Sequence, residues 1–223
     1  MKNKTNTRII ALLLAAVLIS CLYVSCLKDG DDTIVIPLPD GKIPYSVISE
    51  DLQDSLRYNG FIIHEGINPP NIEGYFRATP FVIDYASDGY VNDFFDMYMG
   101  MSGQKPRGLI TYEERQRDTI QGKSIYANVI GHDSSFTMYC YQYLSDGSDS
   151  VLFWKCKTAT VISGVMTSFG IRNYQYSFIM LEREINPDYD SIYEKILVPV
   201  NTFRIYKDGD NVATRLSVKP VVE

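Results

Sequence analysis

The chain has 223 residues, with 21 Lys or Arg against 27 Asp or Glu and a formal net charge of −6. A negative balance without a basic cluster argues against nucleic acid and anionic lipid as partners. Hydrophobic residues make up 45% of the chain and 17 residues are tyrosine, which is typical of a folded, strand-rich protein and argues against intrinsic disorder.

The N-terminus predicts export and lipid anchoring. A basic tip precedes an uncharged run from Ile9 to Cys26, which is the layout of a secretory signal over residues 1–26. The run holds two segments that resemble the bacterial lipobox, one ending at Cys21 and one at Cys26. We predict that Cys26 carries the lipid, because polar sequence begins directly after it. Cys21 is the alternative, because Leu18 stands at the aliphatic position of its lipobox, and an uncleaved membrane span is a third interpretation.

An acidic stretch follows the anchor. Removing residues 1–26 leaves 18 basic against 27 acidic residues, and residues 27–42 have the composition of a flexible tether. Asp29, Asp31 and Asp32 resemble the signal that sends lipoproteins of the Bacteroidota to the outer face of the outer membrane. We therefore expect a protein anchored by lipid in the outer membrane and displayed on the cell surface. An ordinary solvated tether on an inward-facing lipoprotein is the alternative.

Residues 43–60 predict one short helix. Ser46 or Ser49 can cap its start, and Asn59-Gly60 supplies a left-handed stop. Apolar residues recur every four positions and form one stripe that would pack on a larger core: Ile48, Leu52 and Leu56.

From Phe61 onward the hydrophobic period changes to two, which predicts an all-β domain over residues 61–223. Even spacing and polar turns favour an antiparallel barrel or sandwich. The candidate strands are Tyr75–Tyr85, Phe94–Met101, Leu109–Arg115, Ser124–Ile130, Ser135–Leu144, Val151–Val161, Val165–Phe169, Asn173–Arg183, Leu197–Tyr206 and Val212–Val218.

Several segments resemble a family of lipocalin-like, or calycin-like, lipoproteins of Bacteroidota-type bacteria. They are Ile67–Tyr75, Ile162–Gly164, Gly170–Tyr174 and Arg204–Asp210. These motifs mark turns and strand starts, and the tryptophan of the lipocalin Gly-x-Trp start is missing after Gly74. The resemblance implies a closed antiparallel barrel of about eight strands.

Alternation places methionine and aromatic residues on one face of the predicted sheet. Methionine suits adaptable apolar pockets, and barrels of this size either hold one small ligand or fill with their own side chains. The predicted lining of such a cavity is Phe95, Met97, Met99, Met138, Trp154, Phe178 and Met180. A second candidate surface is the outward row of Tyr139, Tyr141 and Tyr143, which suits contact with a sugar or a protein.

Cys140 and Cys156 are the cysteines that remain after the signal. A hairpin centred on Ser148 would place them opposite each other, so a disulfide is one expectation in an exported protein. Two buried free thiols are the alternative.

Catalytic and metal-binding patterns are weak. The chain has two histidines, His64 and His132, and it has neither a Gly-x-Ser-x-Gly elbow nor closely spaced Cys and His pairs. We therefore predict no enzyme activity, metal or cofactor. The leading hypothesis is a lipid-anchored binding protein that holds a small apolar ligand in the barrel, or a glycan or protein on its surface. The alternative is a structural or assembly component of the cell envelope, with a filled barrel and a partner-binding face.

Overall fold

A computed structural model describes residues 40–92, 95–116, 120–148, 151–194 and 197–219. Cys21, Cys26, the predicted signal and the tether up to residue 39 lie outside these ranges. The strands are β1 (Gly74–Ala78), β2 (Phe81–Ala86), β3 (Met97–Ser102), β4 (Leu109–Gln116), β5 (Ile120–His132), β6 (Ser135–Ser148), β7 (Val151–Met166), β8 (Gly170–Ile185), β9 (Phe203–Asp208) and β10 (Val212–Leu216). The helices are α1 (Glu50–Tyr58), a 3-10 turn (Pro187–Tyr189) and α2 (Asp190–Tyr193).

Eight of these strands close into an antiparallel barrel. Their order is β1-β3-β4-β5-β6-β7-β8-β10, and β10 completes the ring because it pairs with both β1 and β8. The other two strands, β2 and β9, pair with each other beside β8. The prediction of an all-β closed barrel with one short N-terminal helix is confirmed. Among the described helices, none is long and apolar enough to cross a membrane.

The strand predicted over Tyr75–Tyr85 is two strands. Pro80 lies between β1 and β2 and has no N–H to donate to a ladder. The partner strands break at the same level, where the carboxylate of Asp208 accepts hydrogen bonds from the backbone N–H groups of Thr79 (2.8 Å) and Asp210 (3.0 Å). The break in β1–β2 is thus matched by the turn between β9 and β10.

In contrast, the strands predicted over Val151–Val161 and Val165–Phe169 are joined in the single strand β7. β7 runs unbroken through Gly164, which lies opposite Phe136 of β6. Where the sequence predicted a break between strands, the pairing with β8 shifts register between Ser163 and Val165, so the strand bends without ending.

Helix α1 covers the outside of the barrel. The Ser49 hydroxyl accepts a hydrogen bond from the Leu52 N–H at 3.4 Å, so Ser49 is the cap. Ile48 and Leu56 are fully buried against outward-facing side chains of β6 to β9. The Gln53 amide donates to the carbonyls of Ile43 and Ile48, which fixes the chain that leads into the helix.

The first described residues lie at the end of the barrel that holds the β5–β6 turn. The Gly66 N–H donates to the Gly41 carbonyl, and the Gly131 N–H donates to the Gly66 carbonyl. Gly66 has a φ of +137°, and a Cβ there would lie 2.5 Å from the Gly131 oxygen, so this close approach requires glycine. We call this the tether end, because residue 40 enters the fold here.

Strands β6, β7 and β8 continue past the barrel at the opposite end. Residues 143–148, 151–157 and 181–185 form a three-stranded sheet that we call the extension. It is built by long pairing that runs from Ser135–Val165 to Ser148–Val151, with one register shift between Asp146 and Gly147.

β5 and β6 separate partway along the barrel. They pair only between Asn128–Tyr139 and His132–Ser135. Beyond that point β5 stays with β4, and β6 stays with β7. We call this separation, between residues 120–127 of β5 and 140–147 of β6, the seam.

Candidate functional site

The barrel interior has an apolar half and a polar half. At the tether end it is filled by hydrocarbon and aromatic side chains, among them Phe76, Phe136, Ile162 and Ile171. Toward the extension, buried polar side chains join them on the inward faces of the strands. These are Glu114 and Gln116 of β4, Ser124 of β5, Gln142 of β6, and Thr158 and Thr160 of β7.

Glu114 is the centre of the polar half. Its carboxylate accepts hydrogen bonds from the Tyr112 hydroxyl (2.5 Å), the Gln142 amide (2.9 Å) and the Tyr176 hydroxyl (3.5 Å). Burial raises the pKa of Glu114, and these three hydrogen bonds oppose that rise only in part. Burial also raises the pKa of Tyr112 and Tyr176 well above the usual value, and the nearby Glu114 adds to the rise.

Cys140 lies beside this network. Its side chain is fully buried and is within hydrogen-bonding reach of Ser124. Burial raises the pKa of the Cys140 thiol, and Glu114 raises it further. A thiol held in this way is a poor nucleophile, because the thiolate is the reactive form.

The cysteine pairing expected from a hairpin centred on Ser148 is wrong. Cys140 lies opposite Thr160, and Cys156 lies opposite Leu144. The offset of four residue pairs separates the two cysteines by about 13 Å along the strands, beyond the reach of a disulfide. Both are buried free thiols. The error is one of register, since the strands meet at Ser148–Val151 and the pairing shifts at Asp146.

The predicted cavity lining divides into three groups. Met97, Met99, Met138 and Met180 are buried, and Phe178 packs against the same interior core. Phe95 is 51% exposed and lies before the start of β3. Trp154 lies on the extension, with its ring centroid 6.4 Å from that of Tyr193. The strands therefore carry the predicted alternation, but Phe95 and Trp154 fall outside the closed part of the barrel.

The outward tyrosine row is largely covered. Tyr139 and Tyr141 are buried, and the Tyr141 hydroxyl donates to the Ser46 carbonyl at 2.5 Å. Tyr143 is 63% exposed, because it lies on the extension beyond α1. Only this third tyrosine of the row faces solvent.

The outer face of the extension carries a hollow of about 500 Å³, which we call the trough. All three strands line it with outward-facing side chains: Tyr143 and Ser145 of β6, Lys155 and Lys157 of β7, and Glu182 and Glu184 of β8. The other lining residues are Leu144, Leu152, Cys156 and Arg183. A second hollow near Tyr98 and Glu113 holds about 10 Å³.

Ion pairs cross the trough from β7 to β8. Lys155 Nζ lies 2.8 Å from Glu184 Oε2, and Lys157 Nζ lies 3.2 Å from Glu182 Oε1. Lys157 Nζ also lies 4.4 Å from the Tyr141 ring centroid. The sequence predicted Tyr143 of this site as a contact residue, but its ion pairs were not predicted. The spacing of two in Lys155-Cys156-Lys157 and Glu182-Arg183-Glu184 was visible, but only the register places the lysines opposite the glutamates.

The two histidines lie near each other, and His132 adds to the lowering of the pKa of His64 that burial causes. The His64 N–H donates to the Thr137 hydroxyl at 2.7 Å, and burial lowers the pKa of its ring. His132 is exposed in the β5–β6 turn, with Nδ1 3.2 Å from Asp133. Over the described ranges, no three His, Cys, Asp or Glu side chains converge as a metal site would require.

Comparison of the chain with protein-family models, with curated proteins and with solved structures finds no match.

Proposed function

We propose that this chain is a lipid-anchored, exported, non-catalytic binding protein that meets its partner through the trough. The position of the largest described hollow, on the extension and outside the barrel, supports this proposal. A hollow of about 500 Å³ lies on the extension, whereas Met97, Met99 and Met138 are packed in the core. A volume of this size is typical of a binding site.

The placement of the trough supports the same proposal. The chain enters the barrel at Asp40 and Gly41, which lie at the tether end. The extension projects from the opposite end. The trough therefore lies at the end of the barrel opposite the first described residues.

The chemistry of the trough suits a neutral, polar partner such as a glycan or a protein surface. Tyr143 offers an exposed ring with a polar tip, and the lysines and glutamates offer hydrogen-bond donors and acceptors. Each lysine faces a glutamate, so the trough has little net charge to attract an ionic ligand.

A structural or assembly component of the cell envelope is the second candidate. The close packing of the apolar half favours it, because a filled barrel needs no ligand to be stable.

The test is binding of the full-length lipoprotein, solubilised with its anchor, to a glycan array and to intact envelope proteins. We expect Y143A/K157A to lose at least tenfold in affinity. The matched control is Y58A, because Tyr58 is 90% exposed on α1 and does not line the trough. A partner that binds both variants equally would overturn the proposal.

Anchoring is tested separately by metabolic labelling with an alkyne fatty acid. We expect C26S to lose the label and C21S to keep it. Protease treatment of intact cells then reports surface display.

A further inference from the structure

We propose that the seam between β5 and β6 is the entrance to the barrel interior, and that the contact between Glu114 and Gln142 is the latch that closes it. This inference does not depend on the trough or on its partner.

The wall between β5 and β6 lacks a backbone ladder along the seam. β6 and β7 pair from Ser135–Val165 to Ser148–Val151, so that wall is closed by backbone hydrogen bonds along its whole length. β5 and β6 pair only as far as Asn128–Tyr139. Opening the barrel at the seam breaks no backbone ladder, whereas opening it between β6 and β7 would break a long one.

Side-chain hydrogen bonds close the seam. The Gln142 amide of β6 donates to Glu114 Oε1 of β4 at 2.9 Å, and Ser124 of β5 is within hydrogen-bonding reach of Cys140 of β6. Both contacts connect the β4–β5 ribbon to the β6–β7 sheet. Among the side chains that the structure describes at the seam, hydrogen bonds thus take the place of the missing backbone bonds, and such bonds are lost more easily than a ladder.

Buried polar side chains lie behind the seam. The Thr160 hydroxyl is fully buried on the inward face of β7, beside the Tyr176 hydroxyl. Glu114, Thr158 and Gln116 lie on the same interior surface. A small molecule with hydroxyl or amine groups could exchange hydrogen bonds with these polar side chains once the seam is open. The seam gives such a molecule a route that the packed tether end does not.

Cys140 is a natural reporter of this opening, because its thiol is fully buried at the seam. We would treat the full-length, detergent-solubilised chain with N-ethylmaleimide and measure the labelling of each cysteine by peptide mass spectrometry. Cys156 reports unfolding of the extension, since it lies on β7 opposite Leu144 and lines the trough.

We expect Q142A to raise the labelling rate of Cys140 about tenfold, because one buried hydrogen bond to a carboxylate is lost, with little change at Cys156. S124A, a milder variant in case Q142A folds poorly, should raise it about threefold. The matched control is T137V, which removes a buried hydroxyl that accepts a hydrogen bond from the His64 backbone N–H at 2.7 Å, at a position where β6 still pairs with β5. It should leave the Cys140 rate within about twofold of wild type.

Labelling of Cys140 and Cys156 that rises in parallel in Q142A and S124A would mean global unfolding and would overturn the proposal. A Cys140 labelling rate that neither variant changes would also overturn it, since these hydrogen bonds would then not hold the seam closed.

Discussion

The two halves of the barrel interior show how one alternating pattern can be completed in two ways. At the tether end, continuous ladders bring the strands together, and residues such as Phe76 and Phe136 fill the space with no exposed surface. Toward the extension, the β5–β6 ladder stops and polar residues such as Glu114 and Gln142 bond across the interior. Apolar side chains thus fill the part of the barrel where neighbouring strands are joined by backbone hydrogen bonds. Where β5 and β6 are not joined in this way, side-chain hydrogen bonds connect the strands.

The largest expected effect lies in the apolar half. Phe136→Ala removes a fully buried ring and should lower the free energy of unfolding by about 3–5 kcal/mol, because a cavity remains in a tightly packed core. Urea denaturation measures the change. The matched control is Phe169→Ala, since Phe169 is 60% exposed and its loss should cost less than about 0.5 kcal/mol. Equal costs for the two variants would contradict the packed core.

A smaller effect separates two buried hydroxyls. Tyr112→Phe removes a donor to the Glu114 carboxylate and should cost about 1.5–3 kcal/mol, as is usual for hydrogen bonds to charged groups. Tyr174→Phe removes a donor to a methionine sulfur, a weak acceptor, and should cost less than about 1 kcal/mol. Thermal or urea unfolding of the pair tests the comparison, and the reverse order would contradict it.

The pH dependence of stability sharpens the same contrast. Burial raises the pKa of Glu114 above its usual 4.5, so the folded state holds this proton more tightly than the unfolded state. The contribution of Glu114 is therefore complete below pH 4.5 and is lost as the pH rises toward the folded pKa. Glu114→Gln should remove this fall, as measured by urea denaturation at a series of pH values. The groups that face Glu114 are Tyr112, Gln142, Tyr176, Tyr174 and Cys140.

Asp208 provides the control for that experiment. Burial raises its pKa from 3.8 to about 6, so it adds a fall in stability of the same sign between those two pH values. Glu114→Gln should therefore be compared with its parent in an Asp208→Asn background. A pH profile that Glu114→Gln leaves unchanged in that background would show that Glu114 is not held with a raised pKa.

The smallest expected effect on stability is at the trough. Lys155→Ala removes an ion pair with Glu184 in which both side chains are more than half exposed. Exposed pairs of this kind contribute about 0–1 kcal/mol, so the urea midpoint should barely change. A large loss would mean that the extension depends on its ion pairs, and would make trough variants unsuitable for testing binding.

The sequence by itself determined the strand content, the inward and outward faces and the presence of the helix. Alternation placed Phe136, Met138 and Cys140 on one face of β6, and all three point into the barrel core. Gly60 marked the end of the helix, and its start was narrowed to Ser46 or Ser49, of which the structure shows Ser49.

Only the tertiary structure decided which residues face each other across strands. The register moved Cys156 away from Cys140, α1 covered Tyr139 and Tyr141, and the end of the β5–β6 ladder created the seam. The physical reason is the range of the forces involved. Side-chain alternation follows from the geometry of one extended strand, whereas register and coverage depend on packing between segments far apart in the chain, which no local pattern records.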